Sequence, residues 1–138
     1  MPGAQNATIW KIIDMDQQQF QQWLDTYGKA WEDRDAAAFV RLFTPKCLYY
    51  WTPFGEPKRG RAEIAKAFTD ATNTQEEIRF GCEVLFADST VGVAHWWCRF
   101  TRRLTGRVVK LDGMLVVKGD EESQCREFRE WWHSDEAG

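Results

Sequence analysis

The sequence predicts an α+β domain, with helices placed ahead of a long antiparallel meander and covering one face of its sheet. Three observations carry this. Phe20, Trp23, Leu24, Tyr27 and Trp31 recur every three or four residues, the period of one helix face. From about Glu77 onward the chain changes to four long runs of alternating character separated by short turn signals. Two tryptophan doublets, Trp96-Trp97 and Trp131-Trp132, lie inside those runs. Neighbouring side chains on a strand point to opposite faces, so each doublet requires an apolar environment on both sides of the sheet.

Residues 1–15 read as an arm whose Ile9, Trp10, Ile12 and Ile13 pack over the domain, and residues 16–138 read as a single domain. Asp16 is an N-cap for a helix reaching about Asp33. Asp35 begins a second, short helix through Phe43, and Pro45 marks its end. Cys47 to Trp51 reads as a strand, and Thr52-Pro53-Phe54-Gly55-Glu56-Pro57 as a turn-rich loop. Arg61 to Ala71, with Ile64, Ala65, Ala67 and Phe68, makes the third helix. Strands are expected over about 77–86, 91–104, 108–118 and 125–133, with turns at Asp88-Ser89, Thr105-Gly106 and Gly119 to Ser123.

A chain of 138 residues buries a core without help from disulfides or metal. Its net charge of −3 argues against a nucleic-acid or anionic-membrane surface. Arg102, Arg103, Arg107 and Lys110 gather at one hairpin turn and read as a solvated loop. Cys47, Cys82, Cys98 and Cys125 have no metal-site or disulfide-framework spacing and read as small apolar thiols of a soluble cytoplasmic protein. No cofactor and no metal is expected. Eight tryptophans and an aromatic share of 14% exceed the needs of such a core, and rigid aromatics suit cavities and interfaces.

Alternation sorts the faces. Phe80, Cys82, Val84 and Phe86 are assigned to the helix side, as are Ala94, Trp96, Cys98 and Phe100; Trp97 then points outward with His95. The strand from Leu111 is apolar on both parities, as in a sheet covered on both faces. In the last strand Phe128 and Trp132 select the inward set, which takes Glu130 into the interior between two aromatics. A buried carboxyl is costly unless hydrogen-bonded or protonated, and burial raises its pKa. Glu130 is therefore a candidate general acid or base. The alternative is a structural Glu satisfied by Arg126, a tyrosine hydroxyl or a nearby strand.

Helix-helix-strand-loop-helix followed by four long strands resembles the SnoaL-like and ketosteroid-isomerase-like branch of the nuclear transport factor 2-like superfamily. Three segments carry the resemblance over residues 16–134: Tyr27-Gly-Lys-Ala-Trp-Glu-Asp-Arg-Asp35 leading into Phe39 to Phe43; Trp51-Thr-Pro-Phe-Gly55 with Gly60-Arg-Ala-Glu-Ile64; and Arg129-Glu-Trp-Trp132. It implies a cone, with a strongly curved, mostly antiparallel sheet wrapped around three N-terminal helices, a deep apolar pocket between them, and a homodimer. Members include isomerases, dehydratases, cyclases, epoxide hydrolases and proteins without chemistry, so the fold alone does not set the reaction.

Taken residue by residue, Tyr27 falls where ketosteroid isomerases place the tyrosine that stabilises an enolate. Their aspartate base corresponds to Trp51 or Thr52 and their protonated acid to a position near Leu115, so the resemblance does not extend to that isomerisation. Against limonene-epoxide hydrolases, Glu130 resembles the water-activating aspartate and Tyr49 the water-orienting tyrosine. The partner asparagine becomes Trp51, and the arginine and second aspartate become Trp96 and Cys98. The expected site is thus Glu130 and Tyr27 as catalytic groups, with Tyr49, Trp51, Phe54, Trp96, Cys98, Leu115, Phe128 and Trp132 lining a pocket for a small hydrophobic or aromatic ligand. Glu130 would shuttle a proton in cyclase, dehydratase or hydrolase chemistry; the alternatives are a non-catalytic binding protein and a packed dimer with no pocket. Trp97, Met114 and Trp131 are the expected dimer anchors on the outer face.

Overall fold

In the computed structural model, which describes residues 16–120 and 122–137, the Asp16 carboxylate accepts from the Gln19 backbone N–H at 2.8 Å and opens helix α1 (Gln17–Asp33). The arm expected over residues 1–15 lies outside the described residues. Arg34, in the left-handed region, closes α1, and Asp35 caps the short helix α2 (Ala36–Val40). Strand β1 (Phe43–Tyr50), the two-residue strand β2 (Lys58–Arg59) and helix α3 (Gly60–Thr72) follow. The remainder is β3 (Gln75–Ala87), β4 (Val91–Arg102), β5 (Val108–Gly119) and β6 (Cys125–Ala137). Among the described residues, no helix is long and apolar enough to cross a membrane.

The six strands form one sheet in the order β2-β1-β6-β5-β4-β3. All neighbours are antiparallel except β1 and β6, which run parallel. The three helices pack on its inner face, as the sequence predicts for the class. Phe20, Trp23, Leu24 and Tyr27 of α1 are buried against Phe128 and the neighbouring sheet residues, and each contributes roughly 1.5–3 kcal/mol. Gly28 allows α1 to approach the sheet closely, because a Cβ there would run into the Phe80 ring.

Local boundaries differ from the sequence reading. The second helix stops at Val40 and Phe43 already belongs to β1, with Pro45 inside the strand. Pairing with β6 slips between Phe43 and Leu48, so Pro45 sits where the ladder is interrupted and its missing N–H costs nothing. Trp51 lies just past the strand, β6 runs on to Ala137, and β2 is too short to leave a periodic signal. In β3 the pairing passes from Val84↔Ala94 to Phe86↔Val93, so one extra residue is accommodated there. That bulge reverses the parity beyond it. Phe86, assigned to the helix side, is 55% exposed, whereas Phe80, Cys82 and Val84 pack against the core as expected.

Candidate functional site

The inner face and the helices enclose a cavity of about 340 Å³. Each of its deep groups comes from a different element. Tyr27 projects from the buried stripe of α1, Tyr49 from β1 and Glu130 from β6, and all three are buried. The Tyr27 and Tyr49 hydroxyls lie 3.0 Å apart, and the Tyr49 hydroxyl is 3.5 Å from Glu130 Oε2, a long hydrogen bond. The three groups form a line of exchangeable protons along one wall.

Rows across the sheet explain why Glu130 is held inside. In register it lies beside Leu115, which lies beside Ala94, so an apolar row flanks the carboxyl. Burial pushes its pKa up to about 8, against the opposing pull of hydrogen bonds from Tyr49 and Trp132. Glu130 is therefore mostly protonated at neutral pH. Arg126 is exposed and is not its partner; the tyrosine hydroxyl is. Burial, with Glu130 as the second cause, holds both Tyr27 and Tyr49 well above the usual phenol range, so both are neutral donors.

Glu130 accepts from Tyr49, which sets the direction of the line. As a carboxylate it accepts from Tyr49, which must then accept from Tyr27, and the Tyr27 proton is consumed inside the line. As a carboxylic acid it still accepts from Tyr49 through its carbonyl oxygen, and the acid proton is carried on the other oxygen.

The expected wall residues divide. Tyr27, Tyr49, Trp51, Trp96, Glu130 and Trp132 all line the cavity. Cys98, Leu115 and Phe128 are buried in the core outside its wall. Phe128 stacks on Tyr49 at 4.3 Å and on Tyr27 at 5.7 Å, and so backs the hydroxyl line instead of meeting a ligand. Burial raises the Cys98 thiol to about 12, which makes it inert as a nucleophile. Phe54 is a correction: it is fully exposed at the tip of the Pro-Gly loop and borders an outer groove with Trp131 and His95. The turn signals around it favour solvent over the interior.

Sequence reasoning missed Trp31, Phe39, Phe68, Gln75 and Phe100 as wall residues. The helix period marks Trp31, but α1 alone does not say which buried aromatics meet a cavity. Gln75 turns inward because pairing slips between Glu76 and Arg79, with Glu77 at φ 53°. It accepts from the Trp31 indole at 2.8 Å. The Trp96 indole N–H is buried without a partner among the described residues.

A SnoaL-like domain matches residues 21–123 of the sequence. The chain belongs to the SnoaL-like family. SalBIII, an epoxide hydrolase/cyclase-like enzyme with a role in pyran ring formation in the polyether salinomycin, is similar in fold. Its TM-score is 0.74 at 18% identity, over 86% of this chain and 93% of that one. The Δ5-3-ketosteroid isomerase from Mycobacterium sp. superposes with a TM-score of 0.72 at 17% identity, over 84% and 96%. A computationally designed 17-OHP binder reaches 0.73 at 11% identity, over 86% and 96%. No curated protein matches the chain in sequence. These similarities fix the nuclear transport factor 2-like, ketosteroid-isomerase-like fold of this SnoaL-like protein, and the chemistry must be argued from its own cavity.

Proposed function

We propose that this SnoaL-like protein binds a small apolar or aromatic molecule in its inner cavity and performs acid-base chemistry on it through Glu130. One observation carries the reading: a buried, largely protonated carboxyl lines an aromatic cavity and continues into two tyrosine hydroxyls. A carboxyl with a pKa near neutrality is matched to proton transfer at physiological pH. As a general acid, Glu130 delivers its proton to an oxygen of the bound molecule, as in ring opening, dehydration or cyclisation. The resulting carboxylate is then stabilised by the Tyr49 hydroxyl. Tyr27 contributes through the Tyr49 hydroxyl, 3.0 Å from its own. The structural relatives support a small-molecule site in this cone, since two of them are enzymes of small molecules and the third a designed binder.

The test begins with a thermal-shift screen of two- and three-ring compounds, followed by mass spectrometry of any ligand incubated with the protein. Glu130→Gln is expected to retain binding while turnover falls by about 10²–10⁴-fold. Unchanged turnover in that variant would remove Glu130 as the acid-base group. Tight binding with no chemical change in the wild type would leave a non-catalytic binding protein.

A further inference from the structure

The arginines at the β4–β5 turn are not all surface decoration. Trp96, Cys98, Phe100 and Arg102 follow one another on the inward parity of β4, and Arg102 is the last of them. It lines the same cavity as Glu130. Its Nε donates to Glu136 Oε2 at 3.1 Å, and among the described residues its two Nη nitrogens have no partner. Glu136 stands beside Val109 in the β5–β6 register, on the same inner face.

Arg102 also stands at the open end. Its neighbour in register is Gln75, and the adjoining Thr74, a wall residue, is exposed. Tyr27, Tyr49 and Glu130 are buried, and in register Glu130 pairs with Leu115, far along β5 from the Val108 that pairs with Thr101 beside Arg102. The Arg103 backbone N–H donates to Thr74 O at 3.0 Å, and Arg102 N donates to Arg107 O at 2.8 Å, which ties the β4–β5 turn to this end. Among the described residues Arg102 is the arginine in the cavity lining, and Glu136 lies close to both Arg102 and Arg107.

We propose that the natural ligand is an amphipathic organic acid, with its ring body among the aromatic walls and its carboxylate held at the mouth by Arg102. A guanidinium whose Nε edge is occupied still presents its paired Nη edge, which fits the two oxygens of a carboxylate. The anchor also gives orientation: with the acid end fixed at the mouth, the far end of the ring body points at Glu130 and Tyr27. This rests on the small-molecule reading of the cavity.

Isothermal titration calorimetry with a set of two- and three-ring carboxylic acids and their primary amides tests it, because the amides keep shape and lose charge. In the wild type the acids are expected to bind roughly five- to tenfold tighter than their amides. In Arg102→Met that preference disappears while amide affinity stays within about twofold. Glu136→Gln, which relieves repulsion at the mouth, widens the preference and serves as a second variant should Arg102→Met fold poorly. Equal binding of acids and amides by the wild type overturns the carboxylate anchor and leaves the cavity reading standing. A preference retained in Arg102→Met, or narrowed in Glu136→Gln, also overturns it. If no member of either set binds, both the anchor and the small-molecule reading fall.

Discussion

At Glu130, burial and hydrogen bonding act in opposite directions, and burial wins. The folded pKa of about 8 lies above the unfolded value near 4.5, so the neutral form is the one the fold accommodates. The associated stability is complete below about pH 4.5 and is lost as pH rises through 8. Replacing Glu130 by Gln removes this dependence while keeping the shape. Urea unfolding at about pH 5 and about pH 9 is expected to show the wild type losing a few kcal/mol relative to Glu130→Gln across that interval. Parallel curves for the two proteins would mean that Glu130 is ionised in the fold at neutral pH, and the general-acid role would go with it. Turnover, if it uses the protonated carboxyl, should decline above about pH 8 with the same titration.

At the scale of elements, the contact between α1 and β3 rests on a missing side chain. Gly28 faces Phe80, and Phe80 in turn stacks on Trp96 at 6.2 Å and meets Trp31 at 5.7 Å, both in the cavity wall. Gly28→Val forces the ring away, and the strain outweighs any gain in helix propensity. A loss of roughly 1–3 kcal/mol is expected in thermal or urea unfolding, with weaker ligand binding because the wall shifts with Phe80. No loss would mean that α1 can move off the sheet freely. Much at this scale is legible in the sequence: helix caps at Asp16 and Asp35, the α1 stripe, and the inward parity of Trp96 and Glu130. Most of what escapes it comes from irregular pairing. Bulges near Glu77 and Leu85 each insert a residue and reverse alternation, so period-two reading misses Gln75 and misplaces Phe86; around Pro45 the pairing of β1 with β6 slips by three residues, and the sequence reads that proline as the end of a helix. Phe54 departs for a different reason, because its aromatic residue type points to the interior while the Pro-Gly turn that carries it points to solvent.

At the scale of the whole molecule, the outer sheet face remains to be covered. Trp97 and Trp131 are 41% and 44% exposed there, with half-buried Met114 beside Trp131 in register. The Trp97 indole lies across Gly81, where a Cβ would collide with it, so the ring is spread along the sheet surface. His95 bonds Glu83 at 3.1 Å and Asp112 at 3.0 Å across three strands, and those bonds, Glu83 first, raise its pKa. The tryptophans therefore stand in an apolar strip bordered by the hydrogen-bonded Glu83–His95–Asp112 bridge, the pattern of an interface core with a polar rim. We propose that a second copy covers it in a two-fold arrangement, in which each substitution counts twice. Native mass spectrometry and sedimentation velocity at micromolar protein should find a dimer. Trp97→Lys or Trp131→Lys should raise its dissociation constant by about 30-fold or more, with circular dichroism unchanged. Because Trp97→Lys brings an ammonium group opposite Asp112 in register, Trp97→Ala is the needed companion: it removes the anchor without offering a new ion pair. A monomeric wild type, or a dimer indifferent to all three changes, would assign the exposed tryptophans to something other than self-association.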